Sequence, residues 1–210
     1  MTYPLDPRTT ALLVIDAQVE YFDPEGPASF PEAAACLPVI NALVGAFEAS
    51  SSPVILIRHA FRPSGVDIGR MADFEDDDDG DDTFIEGTSG VAFIPELEVS
   101  DAATVVTKSR YDSFRGTDLD GILRTLGVTT VVLCGYMTSF CVDSTARSAQ
   151  GLDYATVVAL DAVGGPDLEH LDGTPYPSAA VRADVGAALA AGFAEIAGSN
   201  EIIGRLAAAT

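Results

Sequence analysis

The sequence predicts a three-layer α/β/α sandwich built on a mainly parallel, doubly wound sheet. Three observations carry this. Short continuous apolar runs recur along the chain, as buried strands require. They alternate with stretches of helical periodicity, the pattern of strands whose two faces are both covered by helices. No internal repeat and no Pro- or Gly-rich linker divides the chain, so residues 1–210 are expected to form one domain.

The elements follow in order. Ala11-Leu12-Leu13-Val14-Ile15 reads as a buried strand ending at Asp16. Pro31 to Ser50 carries Pro at its start and then Ala, Leu, Val, Ile and Phe at helical spacing. Val54-Ile55-Leu56-Ile57 is a second strand, leading into Arg58 and His59. Residues 60–103 are long, polar and irregular. Thr104 to Thr107 is a strand that runs into Lys108. Thr117 to Leu126 reads as a helix capped by Thr117 and closed by Gly127. Thr130 to Cys134 is a strand ending at Gly135, and Ser139 to Gln150 a helix closed by Gly151. Ala155 to Leu160 is a strand ending at Asp161. An alanine-rich helix over Ser178–Ala191, a strand over Phe193–Ile196 and a helix capped by Ser199 complete the chain.

Composition excludes several function classes. The chain has 32 acidic and 11 basic residues, a formal net charge of -21. Nucleic acid and anionic membrane surfaces call for clustered Lys and Arg, so neither is an expected partner. No apolar run reaches the roughly 18–20 residues of a membrane span. Met1 to Arg8 lacks the basic start and apolar stretch of a secretory signal. Cys36, Cys134 and Cys141 have no CxxC spacing and form no disulfide framework, so a cytoplasmic location is expected. The acid excess, with almost no lysine, suggests a protein kept soluble at high salt, of halophilic or salt-tolerant origin.

The basic residues are ten arginines and a single lysine, Lys108. Lysine can be tuned to release its proton, whereas arginine cannot. Asp16, Lys108 and the Gly135–Cys141 turn all follow strand ends, where the ligand crevice of an open parallel sheet lies. Cys141, early in a helix, is expected to have a lowered thiol pKa from the helix dipole and from a nearby ammonium. Asp16 could take the thiol proton, Lys108 supply the charge, and backbone N–H groups of the turn bind an oxyanion. Against this stand plainer readings: a buried inert thiol, a capping aspartate and a surface lysine.

Three motifs bear on the choice: Leu12-Leu13-Val14-Ile15-Asp16-Ala17-Gln18, Lys108-Ser109-Arg110-Tyr111-Asp112-Ser113-Phe114-Arg115-Gly116-Thr117, and Gly135-Tyr136-Met137-Thr138-Ser139-Phe140-Cys141-Val142 continuing to Thr145-Ala146-Arg147. In their order and spacing the chain resembles the isochorismatase-like cysteine hydrolase family. Within it, the chain is similar to the metal-free branch of N-carbamoylsarcosine and ureidoacrylate amidohydrolases. The Asp161-Ala162 segment also resembles the family. The resemblance implies Asp16 as base, Lys108 as its partner and Cys141 as nucleophile. It implies a cis peptide between Tyr136 and Met137, with the Met137 and Cys141 amides as oxyanion hole. The implied reaction is hydrolysis of an amide-type C–N bond through a thioester, in a homodimer or homotetramer.

Nicotinamidases of the same family carry an Asp-x-His metal element after the second strand. Here Arg58-His59-Ala60-Phe61-Arg62-Pro63 stands in that place, so no metal and no other cofactor is expected, and His59 reads as a structural or pocket-lining residue. Val19-Glu20-Tyr21-Phe22 departs from the Asn or Asp that many members have before the aromatic residue. Phe22, Tyr111 and Phe114 are candidate pocket walls, with core packing as the alternative, and Thr138 is a further candidate substrate contact. Glu75, Asp77, Asp79, Gly80 and Glu86 approach a calcium-loop spacing, but the first position is Glu and no clear helices flank the run, so a solvated loop is expected. The substrate expected is a small amide, ureido or carbamoyl compound. The alternatives are a vinyl ether hydrolase, a nicotinamidase-like amidase and a non-catalytic binding protein.

Overall fold

The computed structural model describes residues 2–74 and 83–209. The calcium-loop positions from Glu75 to Gly80 lie outside them. In chain order the elements are β1 (Thr10–Ile15), α1 (Pro31–Ala49), β2 (Val54–His59), β3 (Thr104–Lys108), α2 (Leu119–Thr125), β4 (Thr130–Tyr136), α3 (Asp143–Gly151), β5 (Ala155–Gly164), β6 (Leu168–Glu169), β7 (Pro175–Tyr176), α4 (Ser178–Ala190), β8 (Glu195–Ala197) and α5 (Ser199–Ala208). Six strands make one sheet in the order β3-β2-β1-β4-β5-β8. Every neighbouring pair in it is parallel. The β6–β7 ribbon is antiparallel and separate; at two residues per strand it leaves no periodicity to read.

Side-chain alternation produces the three layers. β1 and β4 are buried along their whole length, as central strands covered on both faces must be. Leu12 and Val14 of β1 point into a core shared with Ile40, Leu43 and Phe47 of α1 and Ile202 and Leu206 of α5. Ala11, Leu13 and Ile15 point the other way, onto Leu119 and Leu123 of α2, Ala146 and Ala149 of α3 and Leu189 of α4.

Several elements differ from expectation. α1 is long and apolar enough by average composition to cross a membrane, although Glu32, Asn41 and Glu48 interrupt its apolar run. Here its Ala33, Cys36, Leu37, Ile40, Leu43, Val44 and Phe47 face the protein core. α2 starts at Leu119 rather than Thr117, whose hydroxyl accepts the Leu119 N–H at 3.3 Å and donates to Ser113 O at 2.7 Å. The helix expected over Ser139–Gln150 begins instead as a π-helical turn, Thr138–Val142, and continues as α3, with Gly151 its last residue. Ser199 is the first helical residue of α5, not its cap; its N–H and hydroxyl both bond the Asp161 carboxylate, at 2.8 and 2.7 Å. Asp161 lies inside β5, which runs on to Gly164 past an irregularity in its pairing with β4.

The segment between β2 and β3 is irregular but not all surface. Phe61, Phe84, Val91 and Leu97 are buried in the α1-side core. Backbone bonds from Val19 N to Ala92 O and from Ile94 N to Ala17 O, 2.9 Å each, bind it to the exit of β1. The chain winds outward from β1 through β2 to β3, then returns to place β4 on the other side of β1. This reversal of strand order opens a crevice at the carboxyl ends of β1 and β4.

Candidate active site

Four neighbouring strands deliver their last residues to that crevice. β3 ends on Lys108 and β2 on His59, which are register partners. Asp16 follows β1 directly, with φ at 53°, a left-handed conformation that aspartate tolerates better than most residues. β4 ends at Tyr136, and the Tyr136–Met137 peptide is cis, as the family resemblance implied. The Thr138–Val142 turn then carries Cys141. Gly135 lets the two central strands close up: a Cβ there would stand 2.1 Å from Ile15 O, and its φ of +108° is one that glycine alone adopts readily.

The three expected catalytic residues meet. Lys108 Nζ lies 2.8 Å from Asp16 Oδ2 and 3.1 Å from Cys141 Sγ. Its third neighbour is His59 Nδ1, at 3.0 Å. The Asp16 contact is an ion pair, whereas the Cys141 and His59 contacts are hydrogen bonds in which the ammonium, which has no acceptor, can only donate. All four residues are buried. Asp16, His59 and Cys141 would by themselves make a metal-binding group, and the Lys108 ammonium is in contact with each of them.

The surroundings hold this cluster in place. The Gln18 carboxamide pairs with both backbone groups of His59, accepting its N–H at 2.7 Å and donating to its carbonyl at 2.8 Å. A second Gln18 N–H reaches Val91 O at 3.1 Å. Beyond Lys108, Ser113 N–H and Oγ meet Thr145 Oγ1 of α3 at 3.1 and 2.9 Å, and Ser148 donates to Asp112 at 2.8 Å. These bonds tie the loop that leaves Lys108 to the helix that follows Cys141. Tyr136 donates its hydroxyl to Ala33 O at 2.6 Å and lies among Tyr21, Phe22 and Phe30, anchoring the turn on the α1 side.

The electrostatics correct one expectation. Burial pushes the Cys141 thiol up, to about 12; Asp16 adds to the rise and Lys108 opposes it. Burial raises Asp16 as well, against the pull of Lys108. Burial works against the Lys108 charge, but Asp16 and Cys141 outweigh it and hold the lysine above its ordinary value. Burial thus favours the neutral forms of the thiol and the carboxyl, while the anionic neighbours hold the proton on the lysine. Moving a proton from Sγ to Asp16 is different: the cluster's net charge is unchanged. The lowered thiol pKa expected from the sequence is therefore not found, because burial outweighs the helix terminus and the cation. Burial and the adjoining ammonium also hold His59 well below its ordinary range, hence neutral.

The remaining candidates divide. Thr138 is buried in the turn, and its hydroxyl has no hydrogen-bond partner among the described residues. Tyr111 is half-buried, its ring 5.2 Å from Phe140. Phe22 packs edge-on against Tyr136. Phe114 lies in the α2–α4-side core, stacked on Tyr154. Sequence reasoning overlooked Gln18 and Tyr21. Gln18 sits two residues after Asp16, and Tyr21 packs against Phe84 and Tyr136 with the charges of Cys141 and Asp16 acting on its hydroxyl. Cys36 is pushed up by burial to about 11, and Cys134 higher still, so both are inert.

Residues 10–174 match the isochorismatase domain family. The chain belongs to the isochorismatase family of hydrolases. It is 32% identical over 165 residues to a secreted isochorismatase effector of Verticillium dahliae, covering 79% of this chain and 77% of the relative. It is 31% identical to a ureidoacrylate amidohydrolase of Methylobacterium radiotolerans, covering 79% and 72%. A cysteine hydrolase from Pseudomonas syringae pv. phaseolicola superposes with a TM-score of 0.94 at 29% identity, over 100% of this chain and 97% of the other.

Proposed function

We propose that this isochorismatase-family protein is a cysteine amidohydrolase that cleaves the C–N bond of a small amide, ureido or carbamoyl compound. The observation that carries the reading is the Lys108 ammonium, which touches both the Asp16 carboxylate and the Cys141 sulfur. A thiol held between an acceptor for its proton and a cation for its charge is a nucleophile waiting for a carbonyl. The ureidoacrylate amidohydrolases among the relatives support the same substrate class.

The steps balance on these residues. Asp16 takes the Sγ proton as sulfur attacks the carbonyl carbon, and Lys108 stabilises the anion that forms. The carbonyl oxygen gathers negative charge beside the backbone amides of Met137 and Cys141, the proposed oxyanion hole. Collapse breaks the C–N bond, and Asp16 returns its proton to the leaving nitrogen. Water then attacks the thioester with Asp16 again as base, releasing the acid and restoring the thiol. No metal or cofactor is used. Phe22, Tyr111 and Thr138 are the proposed substrate contacts; Phe114, stacked on Tyr154 in the core, takes the packing alternative.

A second reading, vinyl ether hydrolysis, needs the aspartate and not the thiol. Ammonia release from small amides, ureas and carbamoyl amino acids, compared with Cys141→Ala, separates the two. Release that falls by about 10³-fold or more in the variant supports the amidohydrolase. Release from no compound, or a variant as active as the wild type, overturns it.

A further inference from the structure

We propose that His59 is a specificity-determining residue whose Nε2–H donates a hydrogen bond to an acceptor oxygen on the substrate, close to the scissile carbonyl. This deepens the amidohydrolase reading and rests on it.

The argument starts at Lys108. Its ammonium has donors only, so the 3.0 Å contact with His59 Nδ1 makes that nitrogen the acceptor. A neutral imidazole carries one N–H, which therefore sits on Nε2. His59 is buried, and among the described residues Nε2 has no hydrogen-bond partner. An unpaired buried donor is costly, so its persistence asks for a partner that arrives. His59, Asp16 and Cys141 bring ligand-type atoms within 4.8 Å of one another, so the imidazole stands beside the candidate nucleophile and its base.

The ring is fixed. Phe61 and Phe84 stand edge-on to it, with centroids 4.6 and 5.1 Å away, and Gln18 clamps the His59 backbone. The donor is preorganised and neutral. It suits a carbonyl or carboxylate oxygen a few bonds from the acyl carbon, and a substrate with a hydrocarbon group in that place would leave it unpaired. Such a site rejects the analogue lacking the acceptor more strongly than an apolar pocket rejects a methylene.

The test uses acetoacetamide and 3-methylbutanamide, which are similar in size, the second carrying a methyl group where the first has its ketone oxygen. Rates of ammonia release are measured for wild type, His59→Asn and His59→Gln. Asn places an acceptor toward Lys108 and no donor at the Nε2 position, whereas Gln reaches that position with its amide N–H. Wild type is expected to favour acetoacetamide by about tenfold or more in kcat/KM, Asn to bring the ratio near one, and Gln to restore most of it. An unchanged ratio in His59→Asn overturns the proposal.

A second arm needs no turnover. The chain has two histidines, His59 and His170, so the imidazole nitrogens of a histidine-labelled Cys141→Ser protein can be assigned by NMR with His170→Gln. The neutral Nε2–H form of His59 and an Nε2 shift with acetoacetamide but not with 3-methylbutanamide support the proposal. An Nδ1–H form, or an Nε2 unmoved by both, overturns it. A selective shift with no ammonia release from either amide by wild type would sink the amidohydrolase reading for these compounds while keeping the His59 assignment.

Discussion

Lys108 Nζ lies 3.0 Å from His59 Nδ1, a third acceptor beside Asp16 and Cys141. Three acceptors around one nitrogen describe a site for an ammonium. A planar guanidinium has five donors in a fixed fork and cannot meet them. This gives a physical reason for lysine here in a chain whose other ten basic residues are arginine. Lys108→Arg is therefore expected to abolish activity and lower the melting temperature through overpacking. Lys108→Met keeps the volume but leaves Asp16 buried without its cation, at a cost of about 3–5 kcal/mol at neutral pH. Asp16 then has a folded-state pKa raised above its unfolded value, so the variant should regain stability as pH falls and Asp16 protonates. Urea midpoints at two pH values check this, and a loss that does not shrink in acid contradicts it.

Transfer of the Cys141 proton to Asp16, the step proposed above, would give the thiol an unusual pH profile. A simple thiol with a pKa of about 12 would alkylate about tenfold faster with each pH unit. If the reactive form is instead the tautomer with Asp16 protonated, its population does not depend on pH while the cluster's net charge is constant. Iodoacetamide modification of Cys141 is expected to show a plateau between about pH 6 and 9. Asp16→Asn removes the proton acceptor and should restore the steep slope. A steep slope in the wild type argues against the internal transfer.

Buried thiols are also expected to lower stability in alkali. Burial raises Cys36 to about 11 and Cys141 to about 12, so the unfolded chain loses these protons first. Above about pH 9 the unfolded state binds fewer protons than the folded one, and stability falls by at most about 1.4 kcal/mol per pH unit for each thiol. The contribution is complete below the unfolded thiol pKa and is lost as pH rises through the folded values. Unfolding free energies at pH 7.5 and 10 are expected to differ in this direction, with a shallower difference in Cys36→Ala.

The net charge of -21 predicts a response to salt. Raising ionic strength from about 0.1 to 1 M shortens the screening length from about 10 to 3 Å, which weakens self-repulsion. The melting temperature is expected to rise over that range. Sodium chloride and potassium chloride should act alike, because the effect is screening. A flat or falling melting temperature contradicts the halophilic reading.

How much of this was legible beforehand follows from where the information resides. Continuous apolar runs such as Ala11–Ile15 identify central parallel strands because burial on both faces suppresses alternation. Strand ends then placed Asp16, Lys108 and Cys141 at one edge of the sheet. His59 was read as structural or pocket-lining; what could not be read is its contact with Lys108, which depends on the β2–β3 register, a long-range property. The elevated thiol pKa was missed for a related reason: a helix terminus and a cation were visible in the motif, and the burial that outweighs them was not. Gln18 stood in a recognised motif, yet its partners His59 and Val91 are 41 and 73 residues away. The two-residue strands β6 and β7 are too short for periodicity to register.

Gly135 links the sheet to the chemistry and offers the sharpest contrast between two glycines. A Cβ at this position would stand 2.1 Å from Ile15 O, main-chain atoms that cannot swing aside. Its φ of +108° adds strain for any other residue. Gly135→Ala must push β4 away from β1, and with it Cys141 from Asp16. The expected cost is about 3 kcal/mol or more, with activity lost even in the fraction that folds. Gly127, which closes α2 at φ +72°, has nothing within 4 Å of a would-be Cβ. Gly127→Ala should then cost only the left-handed backbone term, about 1–2 kcal/mol, and leave turnover unchanged. Urea titration of both variants beside the wild type decides it: equal losses would mean that backbone conformation, and not the approach of β4 to β1, is what requires glycine at position 135.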